Sequence, residues 1–220
     1  MELKVFTNKL INEAHAYLII KNNKAVLIDT GCSSEEIIEY SLNNNIQITD
    51  VFLSHSHFDH LLGLNEIAKI FKDLKIYIGQ ADFKNVFSAK RNFSLSKKNP
   101  YVLEKSLNFI PLKNKQEIVS TLIGNVNYYL MGGHSKGTAF FKIEELLFVG
   151  DTLFLETLGF HNKRMPGCNI RKFNKSLIWI VNNSFGLTIY AGHRKAGFKI
   201  EDVLNNKDHQ IYKENIIKIK

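Results

Sequence analysis

The sequence predicts an α/β fold of the α+β type, formed by a single domain over residues 1–220. Short apolar runs with strand character alternate with segments whose apolar residues recur every three or four positions, which is the helical period. Hydrophobic residues make up 45% of the chain and charged residues 23%, so there is enough apolar material for one substantial core. No linker, repeat or low-complexity segment divides the sequence.

The first part of the chain predicts three strands and a helix, with the strands at residues 3–6, 15–20 and 25–29. Asn22 and Asn23 between the last two strands favour a tight hairpin, because asparagine tolerates the left-handed backbone that such turns need. Ser33 and Glu36 match a capping box that opens a helix ending near Asn43. The residues expected on the buried face of this helix are Ile37, Ile38 and Leu42.

The alternation continues to the end of the chain. A strand at 46–54 precedes a histidine-rich turn, which a helix to Phe71 follows. The apolar residues at helical spacing there are Leu61, Leu62, Leu64, Ile67, Ala68 and Phe71. Further strands are predicted at 75–79, 118–123, 126–131, 138–143, 146–149 and 187–191, with Gly124-Asn125 as a hairpin turn. Helices are predicted at 81–89, at 169–182 and in part of 198–220.

Residues 80–111 contain a basic, irregular stretch around Lys90-Arg91-Asn92 and Lys97-Lys98-Asn99-Pro100. Two interpretations are open for it. The stretch forms either a substrate lid over a functional site or a solvated surface insertion.

Candidate functional side chains are concentrated in residues 54–60, where three of the eight histidines and one carboxylate lie between a predicted strand and a predicted helix. Neutral imidazoles and a carboxylate packed this closely suit a divalent metal such as zinc. In an extended turn His55 and His57 point to one side, whereas Asp59 and His60, in the first turn of the helix, aim at a second point. The spacing therefore favours two neighbouring metals over one. The alternative is a group of solvated loop histidines with a helix-capping aspartate.

Three residues later in the chain are also of metal-ligand type and also follow a tight turn or a predicted strand. His134 follows Gly132-Gly133, and glycines allow the sharp backbone turn that would hold an imidazole close to a metal. Asp151 follows an apolar strand in the run Gly150-Asp151-Thr152-Leu153-Phe154. His193 follows the last predicted strand and Gly192.

Residues 54–60 resemble the signature of the metallo-β-lactamase superfamily of hydrolases, and the run from Gly150 to Phe154 is similar to its small glyoxalase II-like branch, the hydroxyacylglutathione hydrolase-like enzymes. The resemblance covers essentially the whole chain. It implies a four-layer αββα metallo-β-lactamase sandwich, in which two mixed β-sheets are flanked by helices.

The resemblance also implies a ligand set. The first metal takes His55, His57 and His134, the second takes Asp59, His60 and His193, and Asp151 bridges the two. The implied cofactor is two Zn²⁺ per chain, with iron or manganese as alternatives. Asp59 and Asp151 are expected to be the catalytic residues, because Asp59 also orients the attacking hydroxide.

The implied activity is that of a dinuclear zinc-dependent hydrolase, in which a hydroxide held by the metals attacks a small anionic thioester or related ester. His161, Arg164 and Lys195 are candidates for substrate contacts. Glyoxalase II enzymes proper carry a further C-terminal helical domain that holds glutathione, and from the length of this sequence we expect that domain to be missing. Gly159-Phe160 also stands where Gly-Arg is usual. Glutathione itself is therefore in doubt. A mononuclear iron persulfide dioxygenase, a lactonase and a nucleic-acid-processing phosphodiesterase remain as alternatives.

The net charge of +8 permits an anionic substrate or a nucleic acid as partner. The lysines are scattered rather than clustered, so a nucleic-acid partner is disfavoured but kept open. No apolar run suits a bilayer span, and the chain begins like a strand rather than a signal peptide, so we expect a cytoplasmic protein without a membrane partner. A homodimer is one candidate oligomeric state. Cys32 and Cys168 are expected to be unpaired thiols.

Overall fold

A computed structural model describes residues 1–11 and 13–218. Its first sheet consists, in spatial order, of β1 (Glu2–Asn8), β2 (Ala14–Lys21), β3 (Lys24–Ile28), β4 (Gln47–Leu53), β5 (Lys75–Gly79) and β6 (Asn108–Leu112). The second sheet has the spatial order β11 (Thr188–Ala191), β10 (Leu146–Gly150), β9 (Ala139–Ile143), β8 (Gly124–Leu130) and β7 (Gln116–Thr121). The helices are α1 (Ser34–Asn43), α2 (Leu64–Ile70), α3 (Ile170–Asn183), α4 (Ile200–Asn205) and α5 (Gln210–Lys213).

Both sheets are mixed. In the first, β1, β2 and β3 pair antiparallel, whereas β3 to β6 run parallel. In the second, β7 to β10 pair antiparallel and β11 is parallel to β10. Because β3 and β4 are parallel neighbours, their carboxyl ends lie side by side at one edge of the first sheet. The same holds for β10 and β11 in the second sheet.

Three apolar clusters show how the layers stack. The middle cluster lies between the sheets, where Phe52 of β4 packs edge-to-face on Phe141 of β9 with ring centroids 5.2 Å apart. A second cluster packs Ile37 of α1 and Ile67 of α2 against the first sheet. The third packs α3, through residues such as Phe173, against the second sheet. The order helix, sheet, sheet, helix is the predicted αββα sandwich, which is therefore confirmed.

Most predicted elements are present within a residue or two of their predicted limits. The hairpin at Asn22 and Asn23 has positive φ at both residues, 50° and 59°. Ser33 caps α1 as predicted, since its hydroxyl accepts from the Glu36 amide. The second-sheet hairpin turns at residues 122–123, just before the predicted Gly124.

Three local predictions are wrong. Residues 81–89 form successive turns instead of a helix, because the Asp82 side chain is engaged by distant loops (below). Leu42 is 54% exposed, and the smaller Ser41 takes the buried position on α1. The helix after the histidines does not begin at once. Residues 58–60 form a short 3-10 helix, and α2 starts only after Gly63, whose φ of 79° suits glycine.

Within the described ranges, no helix is both long and apolar enough to cross a membrane. In the same ranges Cys32 and Cys168 are free thiols, as predicted. The assignment of residues 1–220 to one domain and the cytoplasmic location stay predictions.

Candidate metal centre

The seven predicted ligands come together at the edge where the two sheets meet. β4 ends just before His55 and His57, and the short 3-10 helix carries Asp59 and His60. The β8–β9 loop supplies His134 from the second sheet. Asp151 and His193 follow the parallel strands β10 and β11. Both sheets therefore contribute side chains to one site.

Ligand-type atoms in this site form three overlapping groups, each with all atoms within 4.8 Å of one another: His55, His57 and His134; His55, His60 and Asp151; and Asp59, His60 and His193. We call the first of these the three-histidine group and the last the Asp59 group. Asp151 lies between them. Its Oδ2 is 3.8 Å from His134 Nε2 of the first group and 3.3 Å from His193 Nε2 of the second, and its Oδ1 is 3.4 Å from His60 Nε2. Its position suits a carboxylate that bridges two cations.

Unpaired polar atoms test whether these residues fit a metal. His55 Nε2, His60 Nε2 and Asp151 Oδ1 are buried without a hydrogen-bond partner among the described residues. Buried polar atoms are rarely left unsatisfied, because desolvation without a partner is costly. All three atoms face the same small region. Imidazole nitrogens and carboxylate oxygens are ligands that zinc and iron accept, so the donor set fits the predicted metals.

Neighbouring groups orient these imidazoles. Asp29, buried at the end of β3, accepts hydrogen bonds from His60 Nδ1 at 2.9 Å and from the Ser54 hydroxyl at 2.7 Å. His55 Nδ1 in turn donates to Ser54 Oγ at 2.9 Å, and His134 Nδ1 donates to the Phe160 carbonyl at 2.8 Å. Each contact places a proton on Nδ1, so Nε2 carries the lone pair that a metal would bind. His134 Nε2 lies 3.0 Å from His57 Nδ1, within the three-histidine group.

The pKa values divide the histidines into two kinds. Burial lowers the pKa of His55, His57 and His134, so these imidazoles are neutral at pH 7, as metal ligands must be. Burial would also lower the pKa of His60, but the Asp151 and Asp29 carboxylates hold it well above the usual value. A cation bound at His60 Nε2 would take the place of the proton that these two carboxylates favour there.

Sequence reasoning missed the role of Asp29. Its only signal is an aspartate directly after the apolar run Ala25-Val26-Leu27-Ile28, at the same sheet edge as the histidine turn. Two histidines outside the predicted ligand set and the candidate substrate contacts, His15 and His209, are buried at 3% and 0% exposure and have hydrogen-bond partners. Both lie outside the three groups of ligand-type atoms.

A cavity of about 920 Å³ opens beside these ligands. His57, Asp59, His134, Asp151 and His193 form part of its wall. The apolar part of the wall consists of Phe58, Phe93, Phe154, Leu158, Phe160 and Met165. The cavity is therefore large enough for a small organic substrate, and away from the ligands its wall contains both apolar and polar side chains.

The predicted substrate contacts are placed differently from one another. His161 lines the cavity, where its ring stacks on Phe173 and Nε2 lies 2.8 Å from Glu214 Oε2. Arg164 and Lys195 are exposed and lie outside the cavity wall. Arg194, which sequence analysis did not select, does line it.

Of residues 80–111, only Phe93 is part of the described cavity wall. Its ring packs edge-on against His57, with centroids 4.8 Å apart. The segment is anchored beneath the surface, since the Phe58 amide donates to the Asn92 carbonyl and buried Asn92 donates to the Tyr101 carbonyl. Its basic residues Lys90, Arg91, Lys97 and Lys98 are exposed and are not part of that wall, but Lys97 Nζ lies 5.0 Å from the ring centroid of Phe58, which is.

A family model described as the metallo-β-lactamase superfamily matches residues 12–193, which is most of the chain. The chain belongs to the metallo-β-lactamase superfamily. The matched region ends at His193, the last of the seven predicted ligands, so every ligand falls within it.

Individual proteins agree with this membership. Hydroxyacylglutathione hydrolase 1 of Vibrio vulnificus is 24% identical over 193 residues, which cover 88% of this chain and 67% of that protein. The chain spans 59 to 67% of the lengths of three curated relatives that it matches. Their activities are therefore properties of longer proteins.

Solved structures of similar shape show the fold alone, because their sequences are under 25% identical. The crystal structure of BLEG-1 B3 metallo-β-lactamase has a TM-score of 0.81 at 19% identity and covers 94% of this chain and 98% of its own. TTHA1623, crystallised in a di-iron-bound form, has a TM-score of 0.74 at 22% identity, with 90% of this chain and 96% of its own covered.

Proposed function

We propose that this protein is a dinuclear zinc-dependent hydrolase that cleaves thioesters or related small esters. One observation carries the proposal. Two groups of ligand-type side chains lie on either side of the Asp151 carboxylate, and five of the seven predicted ligands border one cavity: His57, Asp59, His134, Asp151 and His193. In this proposal His55, His57 and His134 hold one cation, Asp59, His60 and His193 hold the other, and Asp151 contacts both.

Two bound dications would lower the pKa of a shared water and polarise the carbonyl group of a substrate. The chain's own residues would do the remaining work. Asp59 is half-buried at the cavity surface, with Oδ2 3.5 Å from His193 Nε2, so its free acceptor capacity can orient the attacking water. The aromatic wall would exclude bulk water around the acyl group, which strengthens electrostatic interactions inside the cavity.

The choice of thioester is supported by the hydroxyacylglutathione hydrolase relatives, whose name describes thioester cleavage. The charged side chains of the cavity wall argue against glutathione as the thiol part of the substrate. Among the described residues of its wall, Arg194 is the single Lys or Arg, and Glu13 and Glu214 oppose it. A smaller thioester or ester with at most one anionic group fits this charge better than glutathione does.

Metal analysis and a substrate panel test the proposal together. We expect about two zinc ions per chain, loss of hydrolysis after chelation and its return with added zinc. The panel should contain small thioesters, lactones and a phosphodiester, with Lys195→Gln as a control for charge changes outside the cavity wall. One iron per chain with oxygen uptake on a persulfide would instead identify a dioxygenase, and phosphodiester cleavage alone would identify a nuclease-type enzyme.

A further inference from the structure

Asp82 is a fully buried carboxylate outside the ligand set, in the turn that follows β5. Both of its oxygens accept hydrogen bonds. Oδ2 accepts from the Ser56 amide at 3.1 Å and from the Ser135 hydroxyl at 2.6 Å. Oδ1 accepts from the Gly137 amide at 2.9 Å and from the Asn85 side chain at 3.4 Å. A buried carboxylate with this many donors is fixed in position.

The donors identify what Asp82 joins. Ser56 stands between His55 and His57, on the turn after β4 of the first sheet. Ser135 directly follows His134, in the β8–β9 loop of the second sheet. One carboxylate therefore contacts the immediate neighbours of every member of the three-histidine group. It links the first-sheet turn to the second-sheet loop, the two segments from which the three histidines come.

Two glycines allow this close approach. A Cβ on Gly137 would lie 2.7 Å from both the amide nitrogen and the Cβ of Asp82. A Cβ on Gly79 would overlap the Gly137 carbonyl oxygen. The turn that carries Asp82 and the loop that carries His134 thus pack backbone against backbone. Only the smallest residue fits at both positions, so the contact is tightly defined.

We propose that Asp82 is a positioning residue that sets the spacing between His134 and the pair His55 and His57. The inference rests on the proposed metal centre and is independent of the substrate. Asp29 acts differently, because it fixes which ring nitrogen carries the proton. Asp82 touches no imidazole in its hydrogen bonds and acts through the backbone of the ligand loops.

The substitution Asp82→Asn tests this role with little change in shape. One acceptor oxygen becomes an amide NH₂ group, which then faces N–H or O–H donors on Ser56, Ser135 or Gly137. At least one link between the two loops is lost, and a buried donor is left unpaired. The three imidazoles should then be held less closely, whereas the Asp59 group should not be affected.

Metal affinity is best measured in backgrounds that isolate one group at a time. His193→Ala retains the three-histidine group, and His57→Ala retains the Asp59 group. Zinc affinity is measured by competition with a chromophoric chelator, and the visible spectrum of bound Co²⁺ reports the coordination geometry. In the first background we expect Asp82→Asn to raise the zinc Kd by about 10–100-fold, the usual effect of losing an outer-shell partner. In the second background we expect no change.

Asp50→Asn is the matched control. Asp50 is 3% exposed and accepts from Thr49 Oγ1 at 2.6 Å and from the Tyr77 hydroxyl at 3.3 Å, on β4 away from the histidines. It should lower stability without raising the zinc Kd in either background. Ser135→Ala removes the 2.6 Å link to Asp82 together with the 2.9 Å contact to Thr138 Oγ1, keeps the other three donors to Asp82, and should raise the Kd of the three-histidine group by a smaller factor. This variant provides the test if Asp82→Asn fails to fold.

Each outcome has a definite reading. The positioning role is overturned if Asp82→Asn leaves the zinc Kd unchanged in the His193→Ala background. If Asp82→Asn does not fold, an unchanged Kd for Ser135→Ala overturns it. So does an equal rise in both backgrounds or an equal rise with Asp50→Asn, since either would indicate a general loss of structure. A wild-type protein that binds no metal overturns the proposed function itself.

Discussion

Asp29→Asn is the most informative single change at this centre. The asparagine carbonyl can keep the 2.7 Å hydrogen bond from the Ser54 amide, which places NH₂ where Oδ2 faces His60 Nδ1. To avoid two opposed donors, His60 must move its proton from Nδ1 to Nε2. Nε2 is the atom offered to the metal, so the change should disable one ligand of the Asp59 group.

The expected magnitude follows from this contact. Loss of an outer-shell partner of a ligating histidine reduces metal affinity by about 10–100-fold, or about 1.4–2.8 kcal/mol. A second effect has the opposite sign, because removing the Asp29 charge lowers the pKa of His60 and eases release of its proton. Asp151 contributes more than Asp29 to that raised pKa and stays in place. The tautomer effect should therefore dominate.

The assay is zinc competition in the His57→Ala background, which isolates the Asp59 group. Ser54→Ala is the matched control, because it keeps the 2.9 Å contact between Asp29 and His60 but removes the hydroxyl that joins Asp29 to His55. It should weaken the three-histidine group and leave the Asp59 group unchanged. Wild-type zinc affinity in Asp29→Asn would refute the argument that Asp29 fixes the His60 tautomer.

Three further predictions concern other parts of the site and fold. With zinc in excess, Asp59→Asn should lower kcat by about 10²–10⁴-fold, as loss of an orienting or acid–base group does, whereas His193→Ala should mainly lose one bound metal. Measuring metal content and kcat together distinguishes the two effects. Near-normal turnover in Asp59→Asn would show that Asp59 does not have its proposed role. Burial lowers the pKa of His209 below 6.5, so the unfolded state binds more protons below that pH, and the stability present above pH 6.5 is lost on acidification. Between pH 7 and pH 5, the free energy of unfolding measured in urea should therefore fall less for His209→Asn than for the wild type. An equal fall in both proteins would contradict this. Gly79→Ala should destabilise the fold by about 1–3 kcal/mol through overlap with the Gly137 carbonyl, and an unchanged thermal midpoint would show that the two segments can separate freely.

The sequence by itself determined the order of strands and helices and the residue types of the proposed ligands. Apolar periodicity is a local property, so β2, β3 and α3 could be predicted almost to the residue. The resemblance of residues 54–60 to a known signature was sufficient to predict the superfamily and its sandwich. Local patterns failed at residues 81–89, where helical spacing was present but no helix forms.

Only the tertiary structure decided how the centre is supported. The roles of Asp29 and Asp82 could not be predicted from the sequence, because their partners beside the histidines lie 25 to 55 positions away along the chain. Arg194 and Lys195 are adjacent exposed cations, and only the tertiary structure shows that the first lines the cavity and the second does not. The spacing of apolar residues along the sequence indicates which face of a helix or strand is buried. Hydrogen bonds between the ends of different strands depend on how two sheets pack, and no local pattern encodes that distance.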